Sequence, residues 1–195
     1  TNSYHSDELE EIASAKAIRM AIKDNKDYHM ATPIKIKEPL FNDDLYPYLQ
    51  RILLTSDKKR LEEIFLVSEG IENLLIKNAY ENDTYEDFIK ASVSRRYTRA
   101  RIQRICMNII NNITKEEYKA LEPLNYIRVL GFNSKGREYL KQFRDREDFK
   151  IVTQFKNIPE SYKNIEWKVA NVYATYTKNR KAYLKQELRG PIIID

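Results

Sequence analysis

The sequence predicts a mainly α-helical protein with a small parallel βαβ unit: a helical domain followed by a small α/β subdomain. Three observations lead there. The 195 residues include only four Gly and six Pro, too few for a turn-rich all-β fold. Apolar residues recur at helical spacing through most of the chain before Pro123. After Pro123 the pattern changes to strand, helix, strand within about 30 residues, the span of a βαβ unit. We therefore divide the chain into segments 1–32, 33–122 and 123–195.

The elements follow in order. Ser14 precedes an amphipathic stretch with Ile18, Ala21 and Ile22 on one face, and its hydroxyl can cap the helix that runs to Lys23. Asp24 to Pro39 is a polar, Pro-punctuated connection. Asp43 to Leu54 carries Leu45, Tyr48, Leu49, Ile52 and Leu53 at helical spacing. Ser56 is expected to cap a helix containing Leu61, Ile64 and Phe65. Ser68 to Tyr80 carries Ile71, Leu74, Leu75 and Ala79, and Thr84 is expected to cap a short helix from Tyr85 to Ala91. Tyr126 to Phe132 reads as a strand, Ser134 to Arg146 as a helix and Phe149 to Phe155 as a parallel second strand. Pro159 to Leu188 reads as one long helix with Ile165, Val169, Val172, Tyr173 and Tyr176 inward. The tail Pro191 to Ile194 suits an edge strand.

The strongest helical pattern runs from Ser94 to Asn112. Ile102, Ile105, Cys106, Ile109, Ile110 and Ile113 form its apolar stripe. Tyr97, Arg101, Arg104, Asn108 and Asn111 run beside the stripe, and Arg95 and Arg99 lie one turn apart. No acidic residue occurs between Asp87 and Glu116, while Lys90, Arg95, Arg96, Arg99, Arg101, Arg104 and Lys115 do. The whole chain is asymmetric in the same sense. Residues 1–87 hold 11 Lys/Arg against 18 Asp/Glu, and residues 88–195 hold 23 against 11. Clustered arginines with no local carboxylate suit phosphate, because the planar guanidinium donates two parallel hydrogen bonds. Arg95, Arg96, Arg99, Arg101 and Arg104 are the candidate phosphate contacts, with Tyr97 a candidate stacking surface for an unpaired base. Two alternatives stay open: a salt network with acids from other helices, such as Glu69 or Glu72, or a solvated face. Lys135, Gly136 and Arg137 occupy a strand-to-helix turn, where parallel units face their ligands; a plain connection is the simpler reading.

Much chemistry is excluded at motif level. The single Cys106 permits no intramolecular disulfide and fits a reducing, cytosolic setting; a buried structural thiol is its default role. His5 and His29 form no metal motif, and no phosphate-loop or dinucleotide fingerprint occurs, so no catalytic residue and no metal ligand can be named. Glu69 and Glu72 read as helical surface charge rather than as an acid–base pair. No apolar run approaches the roughly 20 residues of a membrane span. The opening Thr1-Asn2-Ser3-Tyr4-His5 has neither an initiating Met nor a signal-peptide pattern, so a piece of a longer protein is expected.

Several segments, in order, resemble the tRNA(Met) cytidine acetate ligase family of HIGH-type nucleotidyltransferase-like proteins, in its C-terminal portion. They are Tyr4-His5-Ser6, Ile12 to Arg19, Ser68 to Asn73, Arg95 to Arg104, Arg128 to Asn133 with Gly136-Arg137, and Pro191-Ile192. Leu74 stands where the family usually has Arg, and Lys16 where the second signature often has Thr. The resemblance implies an ATP-dependent parent enzyme, using Mg, that activates acetate as acetyl-adenylate and acetylates the wobble cytidine of tRNA. It places ATP and acetate in an N-terminal domain not contained here, makes residues 1–32 the end of that domain, and puts Ser14 and Arg19 at the edge of the nucleotide site. This chain alone would then bind no cofactor and hold tRNA, with a homodimer also conceivable. Two other readings remain: the lid or dimerisation half of a small-metabolite nucleotidyltransferase, and a stand-alone RNA-binding module.

Overall fold

The computed structural model describes residues 13–32, 36, 38–143, 146 and 148–194. The Tyr4-His5-Ser6 and Ile12 portions of the resemblance lie outside these residues. The chain divides into two units, Thr1–Phe41 and Asn42–Asp195. In the first, helix α1 (Ala15–Lys23) begins as expected, with the Ser14 hydroxyl accepting from the Ala17 N–H at 3.1 Å. Asn25 ends it in the left-handed region (φ 54°), and the Lys26 N–H returns to the Ala21 carbonyl at 2.8 Å. Asn tolerates that backbone better than most residues. Ala17 and Ala21 are buried.

The second unit opens with six helices: α2 (Asn42–Thr55), α3 (Lys58–Glu62), α4 (Ile71–Glu81), α5 (Tyr85–Ser92), α6 (Arg99–Ile110) and α7 (Lys115–Lys119). Helix α2 packs on α4, α5 and α6, and α5 packs on α6. Their shared core includes Leu49, Leu53, Leu75, Phe88, Ile89, Ile102, Ile105 and Cys106, each no more than 1 % exposed. Tyr46 rather than Tyr48 enters this core: Tyr48 is 38 % exposed, whereas Tyr46 is buried and its hydroxyl donates to the Asn82 carbonyl at 2.7 Å.

Helix starts move from their expected places: the helix expected from Ser68 begins only at Ile71, with Gly70 in the cap position. Ser56 is not the cap of α3; Asp57 occupies that position without a side-chain cap bond. Ile64 and Phe65 lie beyond α3, where Ile64 bridges to Thr114 and Phe65 stacks on Tyr118 with centroids 3.5 Å apart. The Ser94–Asn112 helix is also shorter than its periodicity suggests. Val93 to Tyr97 form a turn instead, in which the Ser94 hydroxyl accepts from the Tyr97 N–H and the Ser94 N–H donates to the Tyr97 carbonyl. Thr98 then caps α6. Ser and Thr offer the backbone these local alternatives to a continuous ladder. The inward stripe of α6 is as expected, with Ile102, Ile105, Cys106, Ile109 and Ile110 buried. Burial pushes the Cys106 thiol up to about 12, which fits an inert packing role.

The α/β region keeps its parallel pairing but is subdivided. Strand β1 (Tyr126–Arg128) pairs in parallel with β3 (Lys150–Val152), with helix α8 (Ser134–Lys141) between them in sequence. The rest of the expected first strand leaves this ladder as β2 (Gly131–Phe132) and pairs in parallel with the tail strand β4 (Ile192–Ile193). A Cβ on Gly131 would lie 3.1 Å from the Ile192 carbonyl oxygen, so a glycine permits that approach. Gly136 is tighter, since its Cβ would meet the Phe132 Cβ at 3.0 Å.

The long final helix is two helices, α9 (Glu160–Ala174) and α10 (Arg180–Glu187). At the break, the Thr175 and Thr177 hydroxyls donate to the Val172 and Ala174 carbonyls, and Asn179 caps α10. Ala170 and Ala174 are the buried residues of α9, whereas Val169 and Tyr176 are 44 % and 37 % exposed. Val172 packs on the helical core, and the Lys168 ammonium bonds the Glu117 carboxylate and, at 2.8 Å, the Asn112 carbonyl.

A Leu49→Ala substitution should lower unfolding stability by about 2–5 kcal/mol, the usual cost of a large core deletion. Leu124→Ala, at a 71 % exposed loop position, should stay within about 0.5 kcal/mol. Urea unfolding of both variants checks this; equal losses would show that the helical core does not carry the stability.

Candidate nucleic-acid interface

The turn before α6 and the loop before α4 face each other. Leu66 (φ 70°) and Glu69 (φ 61°) hold left-handed backbone without being glycine, and Gly70 (φ 80°) follows. Such conformations cost about 1–3 kcal/mol for residues with a Cβ and persist only where surroundings impose them. Their effect here is to carry the Glu69 carboxylate to the arginines. Glu69 Oε2 accepts from Arg96 Nε at 3.1 Å and lies 2.8 Å from Arg96 Nη2. Arg101 Nη2 lies 3.9 Å from the same oxygen. The hydrogen bond from Arg96 and the charges of Arg96 and Arg101 hold the Glu69 carboxyl below its usual value.

Tyr97 lies against both of these arginines. Its ring lies 5.6 Å from the Arg96 guanidinium and 5.1 Å from that of Arg101, and its hydroxyl reaches the Glu69 carbonyl at 3.5 Å. Tyr97 is 7 % exposed. The expected base-stacking role is therefore corrected: the ring is buried, with two guanidinium groups packed against it, and presents no open face to a base. Arg99 is held separately by a two-pronged pair with Glu86, at 3.0 and 2.6 Å.

The outcome for the five arginines is divided. Arg96, Arg99 and Arg101 have carboxylate partners, as a salt network requires, although the network uses Glu69 and Glu86 rather than Glu72. Glu72 is buried in the first turn of α4 and accepts from Asn73 Nδ2 at 2.6 Å. Glu69 lies in the loop, so the two are not neighbouring charges on one helix face. Arg95 and Arg104 are exposed and make no ion pair among the described residues. Exposed pairs contribute little net stability, so phosphate can compete for the paired guanidinium groups too. Glu86 was not legible as a partner: it sits 13 positions before Arg99 on another helix.

Lys135 and Arg137 lie in the first turn of α8, whose cap is Asn133, accepting from the Gly136 N–H at 2.9 Å. Both are exposed, and Arg137 stands 5.8 Å over the Phe132 ring. They belong to the α/β region and do not join the arginine cluster. Ser14 caps α1 and Arg19 lies on it, in the other unit, with Arg19 exposed. Arg128, within a matched segment, proves to be a clamp. Nη1 bonds Glu166 and Glu187 at 2.6 and 2.7 Å, and the guanidinium covers the Phe155 ring at 5.2 Å. Among the described residues no group of three His, Cys, Asp or Glu could hold a metal ion, and no helix is long and apolar enough to cross a membrane.

Because the folded Glu69 carboxyl titrates below 4.5, its pairing is fully present above about pH 4.5 and is lost as pH falls through the folded value. Carbon-detected NMR titration should find that midpoint below the usual carboxylate value in the native chain and raised toward it in Arg96→Gln, where Arg101 keeps part of the lowering. An unchanged midpoint in the variant would remove Arg96 as the cause.

Comparison with known proteins agrees with this architecture. The HIGH Nucleotidyl Transferase family model matches residues 1–187. The tRNA(Met) cytidine acetate ligase of Limosilactobacillus reuteri is 30% identical over 99% of this chain and 52% of its own length. The ligase of Oceanobacillus iheyensis is 33% identical over 99% and 53%, and that of Caldanaerobacter subterraneus subsp. tengcongensis 36% identical over 97% and 51%. The chain thus spans about half the length of the curated relatives it matches. Thermotoga maritima TmcAL in its apo form shares the fold, with a TM-score of 0.78 at 21% identity over 99% of this chain and 53% of that one. The form bound with alpha-thio ATP gives 0.75 over 94% and 52%. The chain belongs to the HIGH nucleotidyltransferase family, as a relative of the tRNA(Met) cytidine acetate ligases.

Proposed function

We propose that this chain is the tRNA-holding portion of an ATP-dependent ligase that acetylates the wobble cytidine of tRNA(Met). The observation that carries the reading is the arginine cluster. Residues 88–115 contain no acid, and Arg95 and Arg104 stand exposed beside a preset Arg96–Tyr97–Arg101 arrangement. Guanidinium groups packed against a buried ring offer oriented donors to phosphate, and the affinity they supply falls with salt. Kinship with tRNA(Met) cytidine acetate ligases supports tRNA as the polyanion. Activation of acetate as acetyl-adenylate, with ATP and Mg, belongs in this reading to an N-terminal domain, and none of this chain's residues is assigned a catalytic role.

At the nucleotide site this chain would contribute Ser14 and Arg19. Ser14 already caps α1, and Arg19 is exposed without an ion pair among the described residues, which suits it to a phosphate. Lys135 and Arg137 extend the basic surface in the α/β region.

The pairing of Arg96, Arg99 and Arg101 with Glu69 and Glu86 favours a second reading, a lid whose arginines serve only internal packing. Filter binding of tRNA(Met) across a salt series separates the two. Arg95→Ala/Arg104→Ala should weaken binding and reduce the slope of log affinity against log salt by about one per arginine. Binding equal to the unmodified chain at every salt concentration would reject the tRNA-holding role for this face.

A further inference from the structure

A second basic feature lies away from the arginine cluster. A cleft of about 570 Å³ opens between α8 and β3, within the range of about 300–1,000 Å³ typical of small-ligand sites. Phe132, Phe143 and Phe149 line it, each only partly buried. Phe143 and Phe149 lie with ring centroids 6.1 Å apart at 39°, too open an arrangement to close over each other. Arg137, Lys141 and Lys150 also line it, and none of these cations makes an ion pair among the described residues. A fourth, Arg146, is held by Asp148 at 2.7 Å and stands 5.2 Å over the Phe149 ring. No carboxylate is among the lining residues that the structure describes. The cleft takes in the carboxyl end of β3, at Val152 and Thr153, the side on which parallel units usually receive ligands.

Aromatic faces with unneutralised cations around them match a planar base joined to phosphate. An apolar peptide would leave three cations unanswered, and a bare anion would make no use of the aromatic lining. We propose that this cleft holds one unpaired nucleotide of an RNA strand, its base against Phe143 and Phe149 and its flanking phosphates on Arg137, Lys141 and Lys150. A strand is favoured over a free mononucleotide because these cations lie on two different elements, α8 and β3, and so can follow phosphates on both sides of a base. The inference rests on the RNA-holding reading above and adds to it a site for an unpaired nucleotide, separate from the arginine cluster.

The test is fluorescence anisotropy with the full chain and two labelled RNAs: a hairpin with an unpaired loop, and a blunt duplex of the same stem. Phe149→Leu keeps apolar volume but removes the ring face, and Lys141→Gln/Lys150→Gln changes exposed charge with little risk to folding; thermal melts confirm that both variants fold. Each should weaken hairpin binding by about tenfold or more while leaving duplex binding unchanged. Arg95→Ala/Arg104→Ala should weaken both RNAs. Hairpin binding unaffected by the cleft variants but lost in the Arg95/Arg104 variant would overturn the cleft proposal and leave the RNA-holding reading standing. Displacement of the hairpin by free AMP would assign the cleft to a mononucleotide and overturn the strand proposal. Failure of the unmodified chain to bind either RNA would overturn both.

Discussion

The burial of one face of α6 is the constraint on which the helical part of this protein depends. Ile102, Ile105, Cys106, Ile109 and Ile110 fill the space that α2 and α5 leave, so the helix cannot rotate without exposing that stripe. Removing such an area from water outweighs any preference of the arginines for one orientation. The guanidinium groups are therefore placed by the hydrophobic effect: they occupy whatever angular positions the buried stripe leaves over. This is why a strongly charged helix can sit at the centre of a packed core without a buried charge.

Electrostatics then arranges what packing has placed. Three arginines close in sequence would repel if left alone, and the left-handed backbone at Glu69 and Gly70 brings a carboxylate between two of them. Both guanidinium groups also pack against the Tyr97 ring. The carboxylate lowers the cost of crowding like charges, yet it is itself about half exposed and bound to cations on one side only. A phosphate arriving there meets guanidinium groups already oriented, which reduces the side-chain entropy lost on binding. The proposed tRNA contact thus draws on the same groups that Glu69 pairs in the free protein.

The α/β end follows a different plan. Its strands are two or three residues long, too short to stand by pairing alone. Arg128 compensates by joining β1 to α9 and α10 through Glu166 and Glu187, while the Tyr126 hydroxyl donates to Glu166 at 2.6 Å. Satisfying both carboxylates with one guanidinium keeps partly buried charges paired, which is the condition for tolerating them. The chain's closing strand docks on β2 because Gly131 allows its backbone close enough.

What the sequence by itself determined is local. Ser14 and Thr84 cap their helices because a hydroxyl three residues before a free N–H is within reach whatever surrounds it. The α6 stripe follows from the 3.6-residue period, and the parallel pairing from the strand–helix–strand order. The same periodicity overran the breaks at Ser94–Thr98 and Thr175–Asn179, since apolar spacing continues through residues whose hydroxyls divert the backbone. Only the tertiary structure decided that Tyr97 would be covered, that Arg96 and Arg99 would meet Glu69 and Glu86, and that Arg95 and Arg104 would be left exposed. Those outcomes depend on distances between helices far apart in sequence, and nothing in the spacing of residues along one helix encodes which carboxylate another will bring.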